Sequence, residues 1–468
     1  MLHCARTLRA AVHRLTTRVV VVLAVLVCGA SARAAEVTRV VSALDDDNAF
    51  DFNVTASWLH EVKTGFIKRE STENGGGLVK DLQFGQTRDL LNLRMDFGIL
   101  WDVGIHIEAP LVLADNRHLD FDQSAGSGCT YPGDPPPITC VNSENSKILE
   151  SGILPGFGNK SAYGLNSRTG QPFTSGSRVF QGPTRSGFES LNLGIMWAPF
   201  NQRRDDTRPT WTLGFDAKLD VFSDMRFDAA NPGGNTAVGP GYHQFVWSTF
   251  VSKRFRYFDP YFGAWYMLPV RTNGSIYQEI NGGNQTAVNP QQRAGLLAGF
   301  EQIAWENPRA DQRVTVEFRA RAEEHFYGRS ASEMWEALAG SSKCTATQAA
   351  PDCRPGIDNN LGDPTFSPYP GVTETQQYAS FGGDLGLNIQ VGKYARFRGL
   401  FGLLVDEPHY ITYSGTGIDR NGDGRVDSNP GSPEANVLYR DAIDAPGRRF
   451  KVEGTQIWSL FLEGSIMF

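Results

Sequence analysis

The segment Arg313 to Glu323, R-V-T-V-E-F-R-A-R-A-E, restricts the fold of this chain more than any other stretch. Successive side chains of a strand point to opposite sides. Val314, Val316, Phe318, Ala320 and Ala322 therefore share one face, and Arg313, Thr315, Glu317, Arg319, Arg321 and Glu323 share the other. One face is oily and the other charged. The pattern returns with Leu91, Leu93, Met95, Phe97 and Ile99 against Asn92, Arg94 and Asp96. It returns again with Trp211, Leu213, Phe215, Ala217, Leu219 and Val221 against Thr212, Asp216, Lys218 and Asp220. A soluble sandwich accommodates such charged strands poorly. A closed barrel suits them, its apolar side toward lipid and its ionisable side toward a watery lumen.

Candidate strands fall at 49–69, 80–99, 102–117, 187–200, 210–226, 241–256, 260–273, 291–305, 312–328, 376–393, 395–414 and 448–468. The count of twelve is even, so both ends meet antiparallel and closure satisfies the edge groups that lipid cannot. The connections at 100–101, 201–209, 257–259, 306–311 and around Tyr394 are short, and they alternate with longer ones at 70–79, 118–186, 227–240, 274–290, 329–375 and 415–447. Clipped turns on one side and extended loops on the other are the barrel pattern. The chain has 50 glycines and 52 aromatic residues, and Trp58, Trp101, Trp197, Trp247, Trp265, Trp305 and Trp458 lie in or beside these strands. With 40% hydrophobic residues and no run of about twenty apolar ones after the leader, a bundle of membrane helices is excluded. The reading is an all-β chain: a single antiparallel transmembrane β-barrel of twelve strands with long extracellular loops.

Residues 1–35 read as an export signal: Arg6, Arg9, Arg14 and Arg18, then the apolar run Val19 to Cys28, then small residues ending in Ala34-Ala35. The barrel then occupies 36–468. Removing the five leader arginines from 44 basic residues leaves 39 against 51 acids, a balance of −12 that disfavours nucleic acid as a partner. Four cysteines remain, Cys129, Cys140, Cys344 and Cys353. Three complete pairings exist, and the local one, Cys129 with Cys140 and Cys344 with Cys353, closes the shortest loops. An oxidising compartment fits it.

The closing stretch 454–468, GTQIWSLFLEGSIMF, sets Trp458, Leu460, Leu462, Ile466 and Phe468 on one face. It resembles the C-terminal strand of Gram-negative outer-membrane β-barrel proteins, whose terminal aromatic is part of the signal read by the barrel assembly machinery. The resemblance implies an outer-membrane location with periplasmic termini, in contact with lipid and lipopolysaccharide. It names no substrate. Gln456 is polar where the parity points to lipid, so a slip or bulge is expected above it, or a strand top already outside the hydrocarbon layer.

The same parities gather Arg94, Asp96, His106, Glu108, Asp216, Lys218, Asp220, Glu317, Arg319, Arg321, Glu323, Arg396, Arg398 and Glu463 in the lumen. Facing acids and bases either cancel or leave Arg319, Arg321, Arg396 and Arg398 as a basic ladder for an anionic solute, with Asp384 on the intervening strand able to break or pair it. Within 415–447, Asp419, Asn421, Asp423 and Asp427 offer side-chain oxygens at relative positions 1, 3, 5 and 9, and Arg425 a carbonyl at position 7. This resembles the front of an EF-hand calcium loop. Position 12 is Pro430 instead of glutamate, with Glu434 the nearest later carboxylate, so a polar Asx/Gly turn without an ion is the alternative. Ser330 to Gly340 reads as a short surface helix. His325 near Ser330 and His409 near Tyr410 are ingredients without a nucleophile motif, so no catalysis is expected. The expected function is a porin-like channel for small hydrophilic solutes, anions among them. The alternative is an occluded structural barrel whose disulfide- and calcium-stabilised loops meet a protein partner.

Overall fold

A computed structural model describes residues 35–44, 50–71, 77–122, 163–166, 168, 171–173, 176–226, 233–278, 285–339, 370–429, 432–436 and 438–468. The leader up to residue 34 and all four mature cysteines lie outside the described residues, and the disulfide expectation with them.

Twelve strands form the wall: β1 (Phe52–Ser71), β2 (Gly77–Leu100), β3 (Val103–Phe121), β4 (Leu191–Phe200), β5 (Thr210–Leu219), β6 (Tyr242–Ser252), β7 (Phe258–Arg271), β8 (Arg293–Asn307), β9 (Gln312–His325), β10 (Tyr378–Val391), β11 (Ala395–Asp406) and β12 (Phe450–Met467). Each pairs antiparallel with its sequence neighbour. The circle closes where β12 meets β1, from Asn53 opposite Met467 up to Arg69 opposite Phe450. No edge of the wall is left to seek a partner in lipid.

The alternation that defines the strands also sorts their faces. On β9, Thr315 and Glu317 are fully buried inside while Phe318 between their row and the next is 45% exposed. Phe258, Phe300 and Phe318 form a row of stacked rings across β7, β8 and β9, with centroids 5.0 and 5.1 Å apart. Leu93, Met95, Leu385, Phe401, Leu462 and Ile466 are exposed on the same outer surface. Trp101, Tyr257, Tyr394 and Phe468 gather at the end with the short turns, where amphipathic rings suit a headgroup boundary.

The wall is uneven in height. β1, β2 and β12 run 20, 24 and 18 residues, whereas β4 and β5 have 10 each, close to the 9–11 that a tilted span needs. The surplus rises above the short side at the long-loop end, and there the inward row changes from charged to apolar: Ile67, Leu82, Phe84, Phe450 and Val452 are buried. A bulge marks the change on β12. Gly454 takes φ +64 and the register against β1 shifts between Thr64 and Phe66. The bulge returns Thr455 to the inside and leaves Gln456 exposed on the outer side, which accounts for the polar residue at that position.

Three boundaries differ from expectation. β5 stops at Leu219 instead of running to 226, and β11 stops at Asp406 instead of 414, just before Pro408, which has no N–H for the ladder. β3 continues to Phe121, its upper part paired with short strands Arg178–Gln181 and Arg185–Phe188 from inside the 118–186 connection. That connection had shown almost no strand pattern. The expected surface helix is real at Trp335–Ala339 but buried: Met334, Trp335 and Leu338 are fully enclosed. It folds inward because five of its neighbourhood's side chains are apolar and the tall side of the wall offers them an apolar lining.

Candidate functional site: the barrel lumen

At the short-turn end, residues 35–44 lie against the inside of the wall before β1 begins. Their seat is cut by glycines. A Cβ on Gly98 would stand 2.0 Å from the Ser42 carbonyl oxygen, and one on Gly104 would stand 2.3 Å from Val41 Cγ2. Ala43 N–H donates to the Leu100 carbonyl at 3.2 Å and Ser42 accepts from Asp51 N–H at 3.0 Å. Deeper in, Glu36 N–H donates to Glu301 Oε1 at 2.7 Å, and the Thr38 and Ser252 hydroxyls meet at 2.7 Å. The Glu36 carboxylate pairs with Arg396. Burial alone would raise the Glu36 carboxyl, but Arg396, with Arg39, Arg398 and Arg313 behind it, holds it below the ordinary value. Nothing in the sequence reading anticipated this segment in the lumen; ten residues without period or motif carry no signal of where they settle.

Above it a belt of ion pairs crosses the barrel. Arg94 binds Asp96 at 2.7 Å and reaches Glu108 opposite it at 3.7 Å. His106 Nε2 meets Asp216 at 2.6 Å. Glu317, fully buried, accepts from Tyr261 at 2.6 Å, from Arg319 at 2.7 Å and from Arg398 at 2.9 Å. Asp384 sits directly across from Arg319 and binds Arg321 at 3.0 Å and Arg319 at 3.8 Å. Arg396 adds Glu463 at 3.1 Å to its contact with Glu36. All four guanidiniums of the expected basic ladder are thus answered by carboxylates, two of them by Asp384. Lys218 makes no ion pair among the described residues, and Asp220 lies beyond β5, in the loop.

The long-loop end is closed by hydrophobic packing. Met334, Ala337 and Leu338 from the short helix, with Ile411, Leu438 and Ile443, pack against the apolar tops of β1, β2, β3 and β12. Trp335 packs with Met225, Ile276, Tyr277 and Val372, and the Arg185 guanidinium lies 5.2 Å over its ring. Several charged groups inside this cap are paired, although Trp335 Nε1 and Glu336 Oε2 are buried without a hydrogen-bond partner. Arg185 binds Glu336 at 2.6 Å and the carbonyl oxygens of Arg226 and Ala237. Lys63 from the wall binds Glu333 at 2.8 Å; burial would push the Glu333 carboxyl up, but the Lys63 ammonium holds it down at about 2. Asp444 accepts N–H groups of Arg440 and Ser414, yet burial pushes it up to about 7. His325 and His409 stack on either side of Tyr378, at 4.3 and 3.6 Å, while Ser330 is taken up in a short pairing with Thr373.

The loop at 419–427 turns its oxygens onto its own backbone. Asp419 accepts from Gly422 and Gly424, Asn421 from Asp423, and Asp423 from Arg425. Glu434 does fold back, accepting from Arg420, Asn421 and Asp427. Among the described residues no three His, Cys, Asp or Glu side chains converge as a metal would require.

Two polar cavities remain between plug and cap. The lower, about 210 Å³, is lined by Glu36, Arg39, Arg94, Asp96, His106 and Arg396 among others. The upper, about 390 Å³, lies under the cap between Arg88, Glu108, Lys218, Tyr242, Gln291 and Arg293.

No protein-family model matches the chain, and no curated protein is similar to it in sequence. Among solved structures it is similar to an outer membrane channel from Pseudomonas putida F1, with 9% identity over 89% of this chain and 95% of that one and a TM-score of 0.38. It is also similar to a Pseudomonas aeruginosa FadL homologue (8%, 90% of each chain, TM-score 0.29) and to the outer membrane protease OmpT from Escherichia coli (9%, 92% and 100%, TM-score 0.26). Likenesses this remote carry over neither the channel nor the protease activity. The strand pairing stands by itself: the chain is a closed twelve-stranded antiparallel β-barrel, resembling several outer-membrane proteins in architecture.

Proposed function

We propose that the protein is a gated outer-membrane channel for small hydrophilic solutes, with its short-turn end and both termini facing the periplasm. The observation that carries this reading is the interior: two polar cavities in series, separated from the outside by chain segments that are not part of the wall. Residues 35–44 hold the lower end through at least seven hydrogen bonds to the wall and its turns and through the Glu36–Arg396 ion pair, and they can leave without breaking any strand pairing of the barrel. The paired charges of the belt keep the lumen wet and set its selectivity, since a permeating ion meets both signs within one passage.

The test is single-channel conductance in planar bilayers, comparing the intact mature chain with a variant lacking residues 35–43 and with an Arg319/Arg321/Arg396/Arg398 charge-neutralised variant. The truncation is expected to raise open probability. Neutralisation is expected to shift selectivity toward cations, because Glu317, Asp384 and Glu463 keep their charge. Silence of all three proteins across voltage and calcium concentration refutes the channel.

The apolar packing at the long-loop end favours a second reading, an occluded barrel that displays its loops to a protein partner. In that reading calcium would order 415–447 only by displacing the amide hydrogen bonds of Asp419, Asn421 and Asp423. Calcium-dependent protection of this loop from protease, without conductance, is the result that selects it.

A further inference from the structure

We propose that the upper cavity is a binding site for a small oxyanion, a carboxylate- or phosphate-bearing solute, held by Arg293, Lys218 and Gln291. The proposal rests on the channel reading only for its biological use; the site itself follows from the charge count inside the cavity.

Six cations line that cavity against three carboxylates. Three of the six have acidic partners: Arg88 binds Glu189 at 2.8 Å, Arg117 binds Asp115 at 2.8 Å, and Arg185 binds Glu336 from the cap at 2.6 Å. Arg329 is held by the carbonyl oxygens of Ile276, Tyr277 and Gln278. The third carboxylate, Glu108, is taken by Asn192 at 3.0 Å and Arg94 at 3.7 Å. Every acid in the lining is used, and Lys218 on β5 and Arg293 on β8 are left. Neither forms an ion pair among the described residues, and Arg293 Nε is buried without an acceptor. Glu323, two residue pairs along β9 from the His325 that faces Arg293, attracts it through space but forms no ion pair with it. Gln291, 6% exposed, likewise turns an Nε2 without an acceptor into the same space.

A cation withdrawn from bulk water is destabilised unless it is paired and hydrogen-bonded. Two cations and an amide donor around one cavity, with no acceptor supplied by the wall, leave an electrostatic deficit that an anion from solution offsets. A guanidinium fork matches the two oxygens of a carboxylate or phosphate, and the ammonium adds a second charge without geometric demand. Oxyanions fit this donor set better than neutral polar solutes, which would leave both charges uncompensated. Arg321, Arg396 and Arg398 of the lower belt also bury an Nε without an acceptor, but all four belt guanidiniums have a carboxylate partner; the missing carboxylate is what sets Lys218 and Arg293 apart and puts the site one level higher than alternation alone indicated.

The experiment is calorimetric titration of the folded mature protein in detergent micelles at low ionic strength, with inorganic phosphate, with succinate, and with succinamide as the neutral match. Saturable one-to-one binding of phosphate or succinate and none of succinamide is expected. The Lys218→Gln/Arg293→Gln variant should bind at least tenfold more weakly, and Lys218→Arg should retain affinity. Folding of each variant is read from its mobility on unheated gels; if the double variant does not fold, Lys218→Gln and Arg293→Gln are each expected to weaken binding several-fold. Phosphate alone binding assigns the site to inorganic anions, and succinate alone assigns it to organic ones. Absence of saturable binding by both anions, equal binding of succinamide, or undiminished binding by the neutralised variants overturns the site. Binding in micelles without bilayer conductance keeps the site and removes the channel; conductance without binding does the reverse.

Discussion

The two ends of the lumen are closed by different physics. At the short-turn end a ten-residue segment rests in a glycine-cut seat and is tied by an ion pair and a handful of hydrogen bonds. At the long-loop end a short helix and two loops bury Met334, Trp335, Leu338, Ile411, Leu438 and Ile443 against the tall side of the wall. The first closure is polar, local and attached to nothing that the barrel needs. The second is an apolar core whose removal would expose the tops of four strands. In the proposed channel the difference points to the short-turn end as the gate: the hydrogen bonds there can be exchanged for bonds to water, whereas closure by buried apolar area has no such replacement.

Three variants would break or sharpen that contrast. Trp335→Ala empties a fully buried indole site in the cap, and is expected to lower its stability by about 3–5 kcal/mol, read as faster hydrogen exchange across the described residues 329–339. Glu336→Gln leaves Arg185 with only its amide and carbonyl partners, for a loss of about 1.5–3 kcal/mol in the same exchange measurement. Removal of residues 35–43 is expected to leave the strand pairing of the barrel intact while changing conductance more than either cap variant. If the cap variants open the channel and the truncation does not, the gate is at the wrong end.

The smallest effects are in pH, and the two ends run in opposite directions. Glu36 has a lowered carboxyl, so its contribution is present above the ordinary glutamate value and is lost as pH falls through the lowered one. Acid should therefore loosen the short-turn plug, seen as rising conductance. Asp444 is pushed up to about 7, so the stability it gives the cap is full below about 4 and is lost as pH rises through 7. Protease sensitivity of 411–449 should accordingly increase between about pH 4 and 7, and Asp444→Asn should flatten that increase.

Much of this molecule was legible in the residues. All twelve strands, and the alternation of short with long connections, follow from a period-two pattern that each strand carries by itself. Asp384 lies on the strand between the two that carry the arginines, which is why it was expected to break or pair the ladder, and it does pair with Arg319 and Arg321. The end of β5 was misplaced because the residues beyond it continue the alternation for a few positions, and that of β11 because Pro408 interrupts the ladder although pairing with β12 resumes at His409 and Tyr410. The helix at Trp335–Ala339 was legible as a helix and illegible as buried. The partners of its neighbourhood, Lys63 with Glu333 and Arg185 with Glu336, are separated by 270 and 151 residues in the chain, and no local pattern links them.

By itself the sequence determined the wall, because the sorting of side chains between lipid and lumen acts on each residue of a strand and repeats every two. Only the tertiary structure decided what occupies the space inside. Which carboxylate reaches which guanidinium, where residues 35–44 come to rest, and why Lys218 and Arg293 are left without acids depend on the curvature and uneven height of a closed cylinder. Those are properties of all twelve strands together, and no single stretch of residues records them.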